Sequence, residues 1–159
     1  MNKKKTLILG IGNEILTDDG IGPRVVREIS AVNLNSNICF EALCCGGLEI
    51  IENLKGYERV IFIDAIRTPG GNLGNVYHFL PSDFHETLHL TNLHDTDFIS
   101  AIELGKKLYP GFPADIHIIA IEIHEDSVFG EELSPPVRKQ YNKIITRVNS
   151  IIKSIISQT

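Results

Sequence analysis

The sequence predicts an α/β fold, a three-layer α/β/α domain built on a twisted, mostly parallel five-stranded sheet. Three observations favour this class. Short apolar runs alternate along the chain with segments of helical periodicity. The run Arg59–Ile66 is apolar almost throughout, which is typical of a central strand covered on both faces. A chain of 159 residues can bury one such sheet between helices, so we interpret residues 1–159 as a single domain.

The first half of the chain alternates strand and helix. Thr6–Gly12 is short, apolar and ended by glycine, which predicts a buried strand. Apolar side chains then recur at helical spacing over residues 19–32, so we expect a helix there, with Asp18 or Asp19 capping its start. The same reasoning predicts a strand at Ile38–Cys44 that buries the thiols of Cys39 and Cys44, a turn at Cys45–Gly47, a short helix at Leu48–Leu54 and the strand Arg59–Ile66.

The second half continues the alternation. Ser134 followed by Pro135 is typical of a helix start, because a capping residue precedes a proline at the first helical position. Apolar residues then repeat at helical spacing to the end of the chain. The other predicted elements are a strand at Gly74–Leu80, a mostly irregular segment over 81–93, a helix at Thr96–Tyr109 that Asp95 or Thr96 could cap, and a strand at Ile116–Ile123.

Charge and hydropathy exclude some classes of protein. The formal net charge is −5 and the pI about 5.6, which disfavours a nucleic-acid partner. No apolar run approaches the length of a membrane span, and the N-terminus leads into a strand without a signal sequence. We therefore expect no membrane insertion and a cytoplasmic location.

A glycine-rich turn after the first strand carries the most unusual chemistry. Gly10 and Gly12 resemble the start of a dinucleotide-binding fingerprint, but Ile15 stands where the third glycine is needed. Asp18 and Asp19 would also direct negative charge at a bound pyrophosphate, so a nucleotide-binding domain is a weak alternative. A Walker motif and the serine nucleophile elbow are both absent from the sequence.

Three residues from separate loops could form a metal site. Asp19 follows the first strand, Asp64 lies at the end of the third, and His94 lies in the loop after the fourth. The carboxyl ends of parallel strands share one edge of a sheet, so these side chains can converge. Two carboxylates and an imidazole suit a borderline divalent ion. Each residue also has a simpler interpretation: Asp19 as a helix cap, Asp64 as the acceptor of a turn N–H, and His94 as a surface histidine.

The stretch Gly10–Gly22 strongly resembles the opening motif of the nickel–iron hydrogenase maturation endopeptidases. The segment Ile63–Ala65, the histidine of Leu93–Asp95 before an apolar helix, and Leu133–Pro135 recur in the order and spacing of that family. The resemblance covers nearly the whole chain. It implies a twisted, mostly parallel sheet between helices, and an endopeptidase that removes a C-terminal extension from the hydrogenase large-subunit precursor after nickel insertion.

The resemblance also implies roles for individual residues. In that family nickel is recognised by an acid in the first motif, an aspartate after the third strand and a histidine. These positions match Asp19, Asp64 and His94. We therefore expect these three to be both the metal-contacting and the catalytic residues of an aspartic-type endopeptidase, with nickel supplied by the substrate. A non-catalytic nickel-binding chaperone would use the same residues. Many members carry an acid where this chain has Cys45, and Asp95 could supply a carboxylate instead.

Overall fold

The structure, a computed structural model, describes residues 4–33, 35–44, 48–85 and 93–158. Strands and helices alternate as the sequence predicts. Two short 3-10 turns, Thr17–Gly20 and Pro81–His85, precede α1 and α3. The strands are β1 (Thr6–Ile11), β2 (Ile38–Leu43), β3 (Arg59–Ile66), β4 (Val76–Phe79) and β5 (Asp115–Glu122), and the helices are α1 (Ile21–Val32), α2 (Leu48–Leu54), α3 (Leu93–Leu108) and α4 (Pro135–Ser157).

The described strands form one five-stranded sheet in the order β2-β1-β3-β5-β4. The first four strands in this order are parallel, and β4 pairs antiparallel with β5 at the edge. The carboxyl ends of the parallel strands therefore lie along one edge, which is the position of the candidate site.

Helices cover both faces of the sheet. On one face α1 and α4 pack against alternate strand residues such as Ile8, Ile61 and Ile119. On the other face α2 and α3 contribute to a second cluster, which includes Leu7 and Phe62 of the sheet. Successive side chains of a strand point to opposite faces, so β1 and β3 supply both clusters. The predicted three-layer α/β/α class is confirmed. Among the helices described, none is long and apolar enough to span a membrane.

Two helix starts differ from the sequence prediction. A 3-10 turn takes the place of the first helical residues, and α1 begins at Ile21. Helix α3 begins at Leu93, three residues before the expected Thr96, so His94 lies in its first turn and not in the preceding loop. An aspartate or threonine is compatible with both a cap position and the first helical turn, and these residue types therefore mark a helix start only approximately.

The prediction that the thiols of Cys39 and Cys44 are buried is wrong for Cys44 and holds only in part for Cys39, which packs against the second core cluster. Cys39 is half-buried and Cys44 is exposed. Cys39 is the second residue of β2 and Cys44 directly follows its last residue. β2 is an edge strand whose six residues are all half-buried. An apolar run cannot by itself distinguish an edge strand from a central one. Cys45 and the rest of its predicted turn lie outside the described residues.

A chain of polar side chains crosses the sheet at its amino end, away from the candidate site. His78 Nε2 on β4 lies 3.0 Å from His117 Nδ1 on β5, and His117 Nε2 lies 2.8 Å from Asp115 Oδ1. Because a carboxylate only accepts, His117 donates from Nε2 to Asp115, and one hydrogen is shared between His117 Nδ1 and His78 Nε2. Arg59 Nε and Lys4 Nζ donate to the other oxygen of Asp115 at 2.7 and 2.8 Å.

Candidate active site

The turn between β1 and α1 is tightly constrained. Thr17 has a φ of 41°, a backbone conformation that a β-branched residue rarely adopts. Its N–H donates to the carbonyl oxygen of Gly130 at 2.9 Å, which ties the turn to the loop after β5. The turn therefore holds its shape through contacts with a distant part of the chain.

Asp19 directs its carboxylate back across this turn. Its Oδ2 accepts the N–H of Asn13 at 2.7 Å. Gly20 occupies the N-cap position of α1 and no side chain caps that helix, so the prediction that Asp18 or Asp19 caps it is wrong. The Asp19 carboxylate instead accepts from the backbone of the turn that precedes the helix. Asp19 is half-buried, with its carboxylate at the carboxyl edge of the sheet.

Asp18 is fully buried and has a different set of partners. Its Oδ1 accepts the N–H of Ser134 at 2.7 Å, and its Oδ2 accepts the Ser134 hydroxyl at 2.7 Å. The same Oδ2 accepts the N–H groups of Glu125 at 3.1 Å and His124 at 3.3 Å. Ser134 is the N-cap of α4, but its hydroxyl donates to Asp18 and does not cap the helix. Asp18 thus braces the first turn against the loop between β5 and α4.

Glycines bring the start of α1 onto the ends of two strands. A Cβ on Gly22 would lie 2.4 Å from the carbonyl oxygen of Ile63 and 2.5 Å from that of Ile11. Gly12 has a φ of 145°, and a Cβ there would lie 2.0 Å from the Asp19 carbonyl oxygen. Only glycine permits these approaches. The backbone of the Asp19 turn therefore lies against the end of β3.

Asp64 follows Ile63 in β3, directly at this contact. It is half-buried, and its Oδ1 accepts the N–H of Ala65 at 2.7 Å. The structure thus brings Asp19 and Asp64 to the same edge of the sheet, where the sequence predicts them. This bond to a neighbouring N–H is similar to the simpler role considered for Asp64, that of accepting a turn N–H. The position of Asp64 beside the Asp19 turn does not depend on this bond.

His94 is placed by its backbone alone, because its side chain lies outside the described residues. Helix α3 leads into β5, which begins at Asp115 at the amino edge of the sheet. A helix of 16 residues rises about 24 Å, so its Leu93 end extends toward the carboxyl edge. Within the described residues no group of three His, Cys, Asp or Glu side chains is arranged to hold a metal ion. The three-ligand site stays a prediction.

Glu122 is a buried carboxylate at the same edge that the sequence reasoning passed over. It is 2% exposed, and its two oxygens accept the N–H and hydroxyl of Thr68 at 2.7 and 2.8 Å. A Cβ on Gly71 would lie 2.3 Å from its Cδ. Glu122 therefore fixes the loop that follows β3. The available signal was an acid inside the otherwise apolar run Ile118–Ile123.

A family model described as hydrogenase maturation protease matches residues 23–151. This match covers most of the chain, and it begins after the glycine-rich motif. The chain belongs to the hydrogenase maturation protease family. The known activity of that family is C-terminal cleavage during hydrogenase maturation, so the predicted class of enzyme, a peptidase, is confirmed. No curated protein matches the sequence.

Solved structures of maturation proteases resemble this one. The [NiFe] hydrogenase maturation protease HybD from Thermococcus kodakarensis is 27% identical, with a TM-score of 0.72 over 92% of this chain and 98% of that one. The hydrogenase maturating endopeptidase HybD from E. coli is 20% identical, with a TM-score of 0.75 over 94% and 93%. The maturation protease HycI from Thermococcus kodakarensis KOD1 is 19% identical, with a TM-score of 0.73 over 99% and 95%. The last two similarities support the fold.

This maturation protease has an open cleft beside the Asp18–Asp19 turn. Its volume is about 560 Å³, and Thr17 forms one side of it. The opposite side consists of the loop after β5 and the first residues of α4, including Val128, Leu133 and Ser134. No residue of this loop belongs to a recognisable catalytic pattern in the sequence.

Proposed function

We propose that this maturation protease removes the C-terminal extension of a nickel–iron hydrogenase large-subunit precursor in the cytoplasm, after nickel has been inserted, and that Asp19, Asp64 and His94 contact that nickel. The observation that carries the proposal is the close packing of Gly22 on Ile63, which puts the two aspartates at one edge of the sheet. Family membership supports the reaction, and the edge geometry supports the choice of residues.

Nickel in this proposal is part of the substrate. The precursor holds the ion through its own cysteines, and the enzyme adds two carboxylates and one imidazole from Asp19, Asp64 and His94. These donors suit a borderline divalent ion. A precursor without nickel offers the three side chains nothing to hold, so cleavage is restricted to loaded precursor.

Hydrolysis requires that a water oxygen attacks the scissile carbonyl carbon, that the C–N bond breaks, and that the departing amine takes a proton. In one route the Asp19 carboxylate, oriented by the N–H of Asn13, accepts a proton from the water. In the other route the nickel of the substrate polarises the carbonyl or lowers the pKa of the water. Asp19→Asn separates the two routes. Because Asp19 contacts nickel in both routes, the variant binds loaded precursor more weakly in both. Loss of the base additionally lowers kcat at saturating loaded precursor, whereas in the nickel route kcat is largely retained.

The test incubates purified protein with nickel-loaded and with nickel-free precursor and detects the released C-terminal peptide by mass spectrometry. We expect release from the loaded precursor alone, and no release by an Asp64→Ala, His94→Ala double variant. Glu14→Gln is the matched control, because Glu14 belongs to the same motif but its carboxylate pairs with Arg27 at the surface. Cleavage by the double variant at the wild-type rate would contradict the assignment. Binding of loaded precursor without peptide release would instead identify a nickel-binding chaperone.

A further inference from the structure

The cleft beside the Thr17 turn is positioned to hold polypeptide next to the reacting bond. Thr17 lies two residues from Asp19, a separation of at most about 7 Å along the chain. An extended peptide advances about 3.3 Å per residue. We propose that the cleft binds the precursor segment about two residues to one side of the scissile bond, and that it selects apolar and basic side chains there. This inference rests on the proposed function, because it names where the same substrate is held.

Exposed apolar residues, here called the apolar rim, occur on both of the segments that line the cleft. Val128 is 52% exposed, and Phe129, which follows it, is 78% exposed. Ile15 on the facing turn is 51% exposed, and its carbonyl oxygen accepts the N–H of Gly130 at 2.9 Å. Single exposed apolar residues are common, but three on two hydrogen-bonded segments form a patch typical of an interaction site. An apolar substrate side chain would remove this patch from water.

The wall of the cleft is acidic. Three glutamates, Glu125, Glu131 and Glu132, line it together with one arginine, Arg138. Glu132 pairs with Arg138 at 3.1 Å. Arg24 donates to the carbonyl oxygen of Glu131, but within the part of the chain that the structure describes the Glu131 carboxylate itself has no ion pair. The cleft thus keeps an excess of negative charge, which complements a lysine or arginine of the bound segment.

The loop that forms the wall is held in place before substrate arrives. Oε1 of Glu125 accepts the N–H groups of Asp126 and Ser127 at 2.9 and 2.8 Å, and the Ser127 hydroxyl at 2.8 Å. Asp126 also pairs with Arg67 at 2.9 Å. At the base of the loop, Asp18 accepts the Glu125 N–H. A preorganised wall loses little entropy when a peptide binds, so its contacts contribute to affinity.

The test compares the kinetics of four single variants on nickel-loaded precursor. Phe129→Ser removes the most exposed residue of the apolar rim, and Val32→Ser is its matched control, since Val32 is also 78% exposed. Glu131→Lys reverses the wall charge, and Glu103→Lys on α3 is the control of equal charge change. We expect both cleft variants to raise KM about tenfold with kcat unchanged, and both controls to stay within about twofold of the wild type. Thermal unfolding of each variant shows that its fold is retained.

Each outcome has a distinct meaning. The inference is supported if KM rises in the cleft variants alone. It also requires that added salt raises the KM of the wild type, and that it raises the KM of Glu131→Lys less. Wild-type KM in both cleft variants overturns it and leaves the proposed function intact. The same holds if Phe129→Ser converts a dimer to a monomer at unchanged KM, because a second copy of the chain would then cover the rim. A wild-type protein that does not cleave loaded precursor overturns the proposed function and the inference with it.

Discussion

The carboxylate of Asp18 accepts two hydrogen bonds from Ser134, one from its N–H and one from its hydroxyl, each 2.7 Å long and spanning 116 positions of sequence. Asp18 is fully buried, and the N–H groups of His124 and Glu125 also donate to it. A buried charge with this many donors is stable only while its partners remain in place. Asp18 therefore fixes the geometry of the neighbouring Asp19 without contacting substrate.

Asp18→Ala should lower the free energy of unfolding by about 3 kcal/mol, because it leaves buried N–H donors without an acceptor. Ser134→Ala keeps the N–H bond and should cost only about 1 kcal/mol. Urea unfolding monitored by circular dichroism measures both changes. Glu14→Ala, which breaks a surface ion pair, is the control and should cost less than about 1 kcal/mol. A loss at Asp18 no larger than that at Glu14 would refute the bracing role.

Gly22→Ala should destabilise the protein by about 3 kcal/mol or more, because its Cβ would lie 2.4 Å from the Ile63 carbonyl oxygen and 2.5 Å from that of Ile11. Relief of this clash moves the start of α1 away from β3, so peptide release from precursor should fall more than unfolding alone explains. The comparison is Gly70→Ala, where φ is 74° but no atom lies within 4 Å, and where a cost of about 1 kcal/mol is expected. Equal effects at both glycines would show that close packing is unimportant.

Elements whose signal is local could be predicted from the sequence. The strand Arg59–Ile66 and the helix Leu48–Leu54 have their predicted bounds, because their apolar patterns are continuous and are ended by turn residues. The placement of Asp19 and Asp64 at one edge also follows from a general property of parallel sheets, without knowledge of the strand order.

The interactions that the sequence did not reveal are long-range. The partners of Asp18 come from residues more than 100 positions away, and nothing near Asp18 in the sequence distinguishes such a brace from a helix cap. The contact of His78 with His117 depends on the antiparallel register of β4 on β5, in which His78 pairs with Ile119. Such a register is set by tertiary packing of the whole sheet.

The cluster around Asp115 should make stability sensitive to acid. Burial raises the pKa of Asp115, but hydrogen bonds from Lys4 and Arg59 outweigh this effect and lower the pKa to about 2. A carboxyl whose folded pKa lies below its unfolded value of 3.8 stabilises the fold above pH 4, and this contribution is lost as the pH falls toward 2. Urea midpoints measured from pH 5 to pH 2 should therefore fall less steeply for Asp115→Asn than for the wild type. Glu103→Gln, at a surface pair, should retain the wild-type slope. Parallel curves for all three proteins would contradict this account.

His78 should add a second dependence on pH nearer to neutrality. Partial burial and the adjacent His117 lower the pKa of His78 below its usual value of 6.5, against an opposing effect of Asp83. The folded protein thus favours the neutral ring of His78. The contribution of the neutral His78 ring to stability is complete above the unfolded pKa, and it decreases as the pH falls from about 6.5 through the lowered folded pKa.

The melting temperature of the wild type should drop between pH 7 and pH 5, and His78→Gln should reduce that drop. Tyr77→Phe tests whether any substitution on β4 has this effect, because Tyr77 points to the other face of the sheet. A drop of equal size in His78→Gln and the wild type would show that His78 does not carry the dependence.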